Sequence, residues 1–463
     1  MIRNRYFGDR RFYKTALSVA LPIMIQNGIS NFVGMLDNIM VGRVGTVEMT
    51  GVSIANTLLF VFQLAFFGAV SGAGIFGAQF YGKRDMDGVR HCFRFKLLEC
   101  AGLLALGSGV LLIFGKELLQ LYLRGEGDQT HIQESLRFGQ SYLRIMLLGM
   151  PAFALTQCYA STLREAGHTV PPMTAGLISV GVNFVCNWLL IFGNLGLPRL
   201  GSDGAAIASV ISRVVEAAVV MIWAHVRSDQ NPYLRGAWKS MRIPGRLAGQ
   251  ITRRGAPLIL NETLWALGQA LLLQCYSIRS YTVVSATNIA FTLGNVCNVA
   301  FLAMGAAIGI LVGQLLGAGK TEEAKDTDRK LIVFTELSCI VFGGLMAALS
   351  GAFPQIYNTE PEVKTLASRF ILINAALMPI SAYANAAYFT LRSGGKTLVT
   401  FLFDSVFSCV VVAPTAYLLS RYTELPIVWL FLCCQSLELV KCAVGYGMIR
   451  SGVWIQNIVK DEF

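Results

Sequence analysis

The sequence predicts an all-α polytopic membrane protein with about twelve transmembrane helices in two pseudo-symmetric six-helix bundles. Composition is the first reason, because 54% of the 463 residues are hydrophobic and only 14% are charged. The mean hydropathy of +0.56 is too high for a soluble globular protein. The second reason is that apolar runs long enough to cross a bilayer recur along the whole chain. The third reason is an internal repeat.

The apolar runs divide the chain into about twelve spans, with ends accurate to a few residues. The first span has a basic flank like that of a signal peptide. It is longer than a signal peptide and lacks a clear A-x-A cleavage site, so it is kept as mature structure. The predicted spans lie near 15–42, 50–80, 91–115, 136–161, 171–194, 204–226, 252–277, 284–316, 331–353, 367–391, 398–420 and 427–449.

The repeat appears when the chain is compared with itself. An offset of 235 aligns Pro22 with Pro257 and Gln79 with Gln314, and an offset of 228 aligns Met150-Pro151 with Met378-Pro379. Chance matching of apolar stretches explains shared Leu and Ile, but poorly explains Pro, Gln and Gly at a constant offset. The chain is therefore divided into an N-terminal bundle (1–226), a basic linker (227–246) and a C-terminal bundle (247–463).

An even number of spans per half makes the two halves parallel repeats, an arrangement typical of alternating-access transporters. We expect the binding site between the halves, near the middle of the membrane. The net charge of +11 is concentrated in alternate loops, at the N-terminus and around 83–96, 227–254 and 320–330. The positive-inside rule then places both termini and the linker in the cytoplasm. The charge reports topology, and it does not indicate a nucleic-acid partner.

Eleven cysteines are scattered through the predicted spans without a C-x-x-C pair. This spacing disfavours a disulfide framework or a zinc site, and we expect no cofactor. Two residues of the first span break the usual membrane pattern: Pro22 near its start and Asp37 near its end. The proline predicts a bend. A carboxylate in hydrocarbon costs about 2.5–3.5 kcal/mol and therefore needs a partner, water or a proton. A bendable helix that carries a titratable group is suited to sensing an ion.

Several signatures then occur together along almost the whole chain, and no single one is specific alone. The combination resembles the multidrug and toxic compound extrusion (MATE) family, in its prokaryotic NorM-like branch. The signatures are Pro22 with Asp37, G-A-Q-F-Y-G (77–82), N-F-V-C-N-W-L-L-I-F-G (183–193), G-A-A-I-A-S (204–209), A-P-L-I-L-N-E (256–262) and L-R-S-G-G-K-T (391–397).

The resemblance implies a secondary transporter and not an enzyme. It implies a cation-driven antiporter of the cell membrane, in which H⁺ or Na⁺ moves in while amphipathic, often cationic, organic compounds move out. It also implies a V-shaped pair of bundles around a central cleft that opens to each side in turn. We expect a monomer in the lipid bilayer, with small-molecule substrates.

In the N-terminal half, Asp37 matches the family's first-helix aspartate and Pro22 the proline at which that helix bends. Asn183 and Asn187 are four residues apart and share one helical face; with Ser209 they match the family's cation site. One carboxylate with amide and hydroxyl oxygens suits a monovalent cation, and a protonated carboxyl could bond to the same amides. Many relatives carry aspartate at the position of Asn187, so its absence here favours protons. Bonding between helices alone is the alternative for the three polar residues.

In the C-terminal half, Glu262 matches the family's seventh-helix glutamate, a further position for Na⁺ or H⁺. The aspartate with which relatives pair it is replaced by Ser381, and Asp404 is the available substitute carboxylate. The alternative for Asp404 is a carboxylate held by loop residues near the cytoplasmic end. Two i, i+3 charge pairs, Arg213–Glu216 and Glu438–Lys441, are expected to be structural. Plausible cleft-lining residues are Gln63, Gln157, Asn288, Asn295 and Asn298.

Two other functions compete. A flippase for lipid-linked precursors belongs to the same broader superfamily, but the basic residues Arg43, Arg144, Arg213 and Arg279 have no clear focus for a pyrophosphate. An intramembrane enzyme is disfavoured because the sequence contains neither H-E-x-x-H nor G-x-S-x-G.

Overall fold

The structure, a computed structural model, describes residues 6–42, 45–122, 129–357 and 359–460. Side chains at 32–39, 42, 46, 129 and 281 lie outside the described set. The regular structure of the described residues is helical. The long helices are α1 (Arg10–Gly42), α2 (Thr46–Lys83), α3 (Met86–Tyr122), α4 (Gln129–Leu148), α5 (Met150–Glu165), α6 (Val170–Phe192), α7 (Gly201–Val226), α8 (Gly245–Ser277), α9 (Tyr281–Gly317), α10 (Thr321–Leu349), α11 (Pro361–Ser393), α12 (Thr397–Tyr422) and α13 (Ile427–Ser451).

The predicted fold class is confirmed. Among the described residues, ten helices are long and apolar enough to cross a membrane, and the bent pair α4–α5 makes an eleventh span. Each of these coincides with one predicted span, and the remaining predicted span, 15–42, lies within α1. Four short 3₁₀ helices complete the regular structure, at Asn194–Gly196, Pro232–Leu234, Ala237–Lys239 and Phe353–Ile356.

The predicted span over 136–161 consists of a bent pair of helices. The chain forms two helices there, α4 and α5, which are bent by 46° relative to each other. Gly149 lies between them, and Pro151 occupies the first turn of α5. Proline lacks the N–H that would continue a preceding helix but fits the first turn of a new one. The break therefore has a local cause in the sequence.

Among the described residues, prolines also lie inside four helices that continue past them: Pro22 in α1, Pro257 in α8, Pro379 in α11 and Pro414 in α12. Each removes one backbone hydrogen bond and weakens the helix at that point. Pro22 and Pro257 are equivalent positions of the repeat, so both halves contain a weakened site in their first helix.

Contacts group the chain into two compact units. The N-unit comprises residues 25–77 and 86–249, and the C-unit comprises 1–24, 78–85 and 250–463. The division at Met24 and Ile25 falls two residues after Pro22. The division of the sequence into repeats at 1–226, 227–246 and 247–463 rests on homologous positions and stays a prediction.

The N-unit is built around α7, on which α4, α5 and α6 pack, while α3 packs on α5. The linker after α7 is held to α3 by arginine side chains. Arg90 donates to the carbonyl of Tyr233 at 3.1 Å, and Arg94 donates to those of Gly236 and Ala237 at 2.8 and 2.9 Å. These bonds hold the linker against α3, so the two arginines of α3 serve to attach the linker.

The C-unit packs α9 along α10 and α11, with α13 against α11. Phe370 of α11 stacks on Phe431 of α13, with ring centroids 4.3 Å apart, and Tyr276 of α8 lies 5.6 Å from Phe431. All three rings are buried. This aromatic contact joins three helices of the core, since ring burial contributes both apolar area and a preferred geometry.

Two equivalent glycines of the repeat make a reciprocal contact within the C-unit. A Cβ added to Gly82 would collide with the backbone of Gln314, and one added to Gly317 would collide with the backbone of Gln79. Gln79 also holds the chain terminus: its Nε2 donates to the carbonyls of Ser393 and Gln456 at 2.9 and 3.1 Å. Only glycine allows two helix backbones to approach so closely.

Substituting Gly317→Ala is expected to destabilise the protein, because the new methyl group must displace backbone atoms. Overpacking of this kind costs about 1–3 kcal/mol. The thermal unfolding midpoint in detergent should fall relative to the parent. Gly344→Ala is the control, since a Cβ at Gly344 of α10 meets nothing within 4 Å. Equal midpoints for the two variants would contradict the close contact.

Candidate functional site

The three polar residues predicted for the N-terminal site lie together between α6 and α7. Asn187 Nδ2 donates to Asn183 Oδ1 at 3.0 Å, and Asn183 Nδ2 donates to Ser209 Oγ at 3.4 Å. All three are buried, and Asn187 has no exposed surface. A buried chain of amide and hydroxyl groups is unusual between two apolar helices and can accept either a cation or a proton-carrying group.

A second set of hydrogen bonds fixes the register of the same two helices. Ser179 of α6 donates to the carbonyl of Ser212 at 3.0 Å, and Ser212 donates to the carbonyl of Ser209 at 2.9 Å. The bond from Ser179 crosses from α6 to α7, and a serine hydroxyl that bonds across helices contributes about 0.6–2 kcal/mol in a membrane. The bond from Ser212 lies within α7. The Ser179–Ser212 contact therefore joins α6 and α7 about one turn from the trio.

The Asp37 side chain lies outside the described residues, so its predicted place beside the trio stays a prediction. Further back on α1, Gln26 Oε1 accepts a hydrogen bond from Arg164 of α5 at 2.6 Å. Arg164 and Arg213 both act on Glu216 of α7 through their charge. A described contact of Arg213 is with Met150 Sδ at 3.1 Å.

In the C-unit, Glu262 is half-buried on α8, and its charged neighbours are Arg392 of α11 and Asp404 of α12. The Arg392 guanidinium lies over two rings of its own helix, 5.2 Å from Phe389 and 6.0 Å from Tyr388. Glu262 and Asp404, predicted from separate helices, therefore belong to one electrostatic neighbourhood.

Asp404 is held by residues of two other helices. Its Oδ1 accepts from Lys441 Nζ of α13 at 3.0 Å, and its Oδ2 accepts from Asn261 Nδ2 of α8 at 3.2 Å. Asn261 is oriented by Ser405 Oγ, which donates to its Oδ1 at 2.8 Å. The alternative in which loop residues hold Asp404 is wrong, because its partners lie on membrane-spanning helices.

The Lys441–Glu438 ion pair predicted from i, i+3 spacing exists, but it is longer than the ion pair that Lys441 makes with Asp404. Lys441 Nζ lies 3.8 Å from Glu438 Oε1, against 3.0 Å from Asp404. Ser381 is half-buried on α11 and takes no part in the described hydrogen bonds of the Asp404 cluster. The carboxylate that pairs with Lys441 is therefore Asp404 of α12. It does not come from position 381 of α11, where the family resemblance implies an aspartate.

The predicted cleft-lining residues differ in burial. Asn288 and Asn295 of α9 are exposed, whereas Gln63, Gln157 and Asn298 are half-buried. An exposed amide on a helix that crosses a membrane needs water or a polar ligand beside it. Their role as lining of a substrate cavity stays a prediction.

A buried ion pair in the N-unit was missed by sequence reasoning. Lys96 of α3, counted among loop charges, has no exposed surface. Its Nζ contacts both carboxylate oxygens of Glu165 at 2.7 Å and the hydroxyls of Ser161 and Thr162 at 3.0 Å. Helix α3 begins at Met86, earlier than predicted, and carries Lys96 inside. The sequence signal that could have indicated this buried pair was the G-x-x-G spacing of Gly74 and Gly77, because both glycines face Glu165.

Other residues were missed because their roles depend on distant partners. Asn261 and Arg392 lie within quoted motifs and Tyr388 lies close to one, yet nothing in the sequence pairs α8 with α11 and α12. Asn261 Nδ2 lies 3.4 Å from Tyr388 Oη. Among the described residues no group of three or more His, Cys, Asp or Glu side chains is placed to hold a metal ion.

Comparison with known proteins bears on this site. The chain matches the sequence model of the MatE family over residues 22–189 and 257–418. It is 23% identical to the probable multidrug resistance protein NorM of Thermotoga maritima, covering 96% of this chain and 94% of that protein. It is 26% identical to the multidrug resistance protein MdtK of Cronobacter sakazakii, covering 90% of this chain and 89% of that protein.

Solved structures show the same fold. An outward-facing multidrug resistance MATE family transporter superposes with a TM-score of 0.84 at 19% identity, covering 97% of each chain. A MATE structure in a straight conformation gives a TM-score of 0.83 at 18% identity, covering 98% of each chain. The family-model match includes Asn183 and Asn187 of the trio, and Glu262 and Asp404 of the C-unit.

The Lys96–Glu165 pair yields a stability prediction. Replacing Lys96 by Met leaves a buried carboxylate without its cation, which costs about 3–5 kcal/mol of unfolding free energy. The double variant Lys96→Met with Glu165→Leu should recover much of that loss, because no charge is left buried. Unfolding in denaturant measures both. A single variant as stable as the parent would contradict the structural role of the pair.

Proposed function

The chain belongs to the MatE family of multidrug efflux transporters, and from this premise we propose that it is a cation-coupled antiporter. It exports amphipathic, often cationic, organic compounds across the cytoplasmic membrane while protons move inward. The observation that carries the proposal is the buried, hydrogen-bonded trio Asn183, Asn187 and Ser209 between α6 and α7. Both termini lie in the cytoplasm, and the monomer is the working unit.

The trio supports coupling because it supplies oxygens without charge. Amide and hydroxyl groups can donate to an ionised carboxylate or accept from a protonated one, so they serve both states of a titrating neighbour. Asp37 is that neighbour in the proposal. Protonation removes the charge of that carboxyl group, so a neighbouring amide or hydroxyl then accepts a hydrogen bond where it had donated one.

Protons are favoured over sodium by the donor set. Asn187 is neutral where many relatives have aspartate, so Asp37 is the one carboxylate of this set. A sodium ion that enters a buried site must be compensated by charge as well as by oxygens, since desolvation of an ion costs several kcal/mol. Protonation of a single carboxylate gives a neutral group, so it needs no additional charge for compensation.

The coupling step follows from the weak point in α1. Protonation of Asp37 changes the contacts of the far half of the helix, and the missing hydrogen bond at Pro22 lets that half bend. The bend narrows the cavity beside the N-unit and expels the organic substrate. Release of the proton to the cytoplasm restores the first state.

Glu262 is the second carboxylate of the proposal. Its neighbours Arg392 and Asp404 place it within a charged cluster, whereas hydrogen bonds and ion pairs hold Asp404. Glu262 therefore has more freedom than Asp404 to take up a proton or to attract a cationic substrate.

The energetics limit what one proton can do. One charge moving inward across 100 mV supplies about 2.3 kcal/mol. That corresponds to a gradient of about 50-fold for a neutral substrate. One-for-one exchange with a monovalent cation is electroneutral, so only the proton concentration gradient then drives export.

Asp37→Asn is expected to abolish proton-driven efflux, because an amide does not titrate. The rate of dye efflux from proteoliposomes with an imposed pH gradient should fall by at least about tenfold, the effect of ~1.4 kcal/mol. Asp229→Asn is the matched control, since Asp229 is an exposed aspartate of the linker. Undiminished efflux by the Asp37 variant would remove the N-unit mechanism.

Asn187→Asp is expected to create sodium dependence, because it adds a second carboxylate at a fully buried position of the trio. The Na⁺ concentration for half-maximal efflux or binding should fall by about tenfold or more. Asn194→Asp adds the same charge just beyond the end of α6, where Asn194 Nδ2 bonds to the carbonyl of Trp188. Equal Na⁺ responses of the two variants would argue against cation binding at the trio.

A further inference from the structure

Lys441 of α13 carries a buried positive charge in the middle of the C-unit cluster. Its side chain is only 7% exposed. Its Nζ lies 3.0 Å from Asp404 Oδ1, 3.4 Å from Ser408 Oγ and 3.8 Å from Glu438 Oε1. The Phe407 ring centroid lies 5.8 Å from the same nitrogen. Two carboxylates, a hydroxyl and a ring thus surround one ammonium group.

The oxygens around this ammonium are held in place by the rest of the cluster. Asn261 bonds to the other oxygen of Asp404, and Ser405 Oγ bonds to both the side chain and the backbone carbonyl of Asn261. Glu438 Oε2 is buried and has no hydrogen-bond partner among the described residues. Asp404 is therefore positioned by more than its attraction to Lys441, whereas Glu438 brings an unsatisfied carboxylate oxygen to the cluster.

The backbone of α12 is unusual at the same place. Residues Leu402–Val406 and Ser408–Val412 form π-helical turns, and these contain Asp404 and Ser408. A π-helical turn is rare and is frequently found at functional sites, because it widens the helix and re-aims its side chains. Here the wide turns present Asp404 and Ser408 to the same nitrogen of Lys441.

We propose that Asp404, Glu438 and Ser408 form a monovalent-cation site that the ammonium group of Lys441 fills from within the chain. The occupant and its ligands belong to one fold, so the ammonium is present at a high effective concentration. Free Na⁺ must displace it and leave a lysine unpaired in the interior, which is unfavourable. The C-unit site is thereby closed to Na⁺.

This inference deepens the proposed function and rests on it only for its consequence in transport. If the N-unit couples to protons, a closed C-unit site leaves no second route for Na⁺ through Asp404. Occupancy of the site by Lys441 can be tested without a transport assay, because cation binding can be measured on the purified protein. Its failure can therefore be told apart from failure of the coupling mechanism.

The test measures ²²Na⁺ binding to purified protein in an Asp37→Asn background, which removes the N-unit carboxylate. Adding Lys441→Met should raise the apparent Na⁺ affinity by at least about tenfold, because two carboxylates are left facing each other without their cation. Lys441→Gln is the second variant, since it retains a hydrogen-bond donor and limits any loss of folding. Folded Lys441 variants that bind no additional Na⁺ would overturn the proposal.

Three controls sharpen the result. Lys441→Arg keeps the positive charge and should bind no more Na⁺ than its parent. Lys330→Met removes a lysine that pairs with Asp326 at 2.5 Å on a partly exposed surface of α10, and it should also leave Na⁺ binding unchanged. Asp404→Asn added to Lys441→Met should remove the gain.

A further measurement does not depend on the folding of the Lys441 variants. Any Na⁺ bound by the Asp37→Asn parent should be insensitive to Asp404→Asn, because the ammonium already occupies that carboxylate. Loss of Na⁺ binding on this substitution would show that free sodium uses Asp404 in the native chain, and it would overturn the proposal.

Discussion

The structure depends on one constraint: a charge buried among apolar helices must find its partner inside the protein, because the bilayer core supplies no water. Lys96 meets Glu165, Lys441 meets Asp404, and Asp328 of α10 accepts a hydrogen bond from Thr390 of α11 at 2.6 Å. Each contact joins side chains of two different helices. The buried charges therefore specify which helices are neighbours and in which register.

The two units solve this constraint with different chemistry at their candidate sites. The N-unit trio is neutral and consists of amides and a hydroxyl, so its properties change with the charge of whatever lies beside it. The C-unit cluster contains carboxylates and cations of the protein itself: Glu262 beside Arg392, and Asp404 beside Lys441. The two units therefore differ in the charges that they bring to their candidate sites.

The carboxylates consequently divide by how firmly they are held. Glu165 contacts its lysine through both oxygens, and Asp404 is bonded by Asn261 and Lys441. Neutralising either would leave a buried lysine unpaired, at a cost of several kcal/mol. Glu262 lies near charges without being held in this way, which makes it the better candidate of the C-unit for a change of state during transport.

The sequence by itself determined the class of the protein, because hydropathy, helix length and repeat offsets are local or periodic properties of the chain. The spans, Pro22 and Pro257, the MATE signatures and the Asn183–Asn187–Ser209 set were all readable in this way. Only the tertiary structure decided the partners. From sequence, Lys96 was assigned to a loop and Lys441 to its i, i+3 neighbour, since their true partners, Glu165 and Asp404, lie on other helices, 69 and 37 residues away. The pairing of buried charges depends on how the helices pack, and no local pattern in a single sequence specifies that packing.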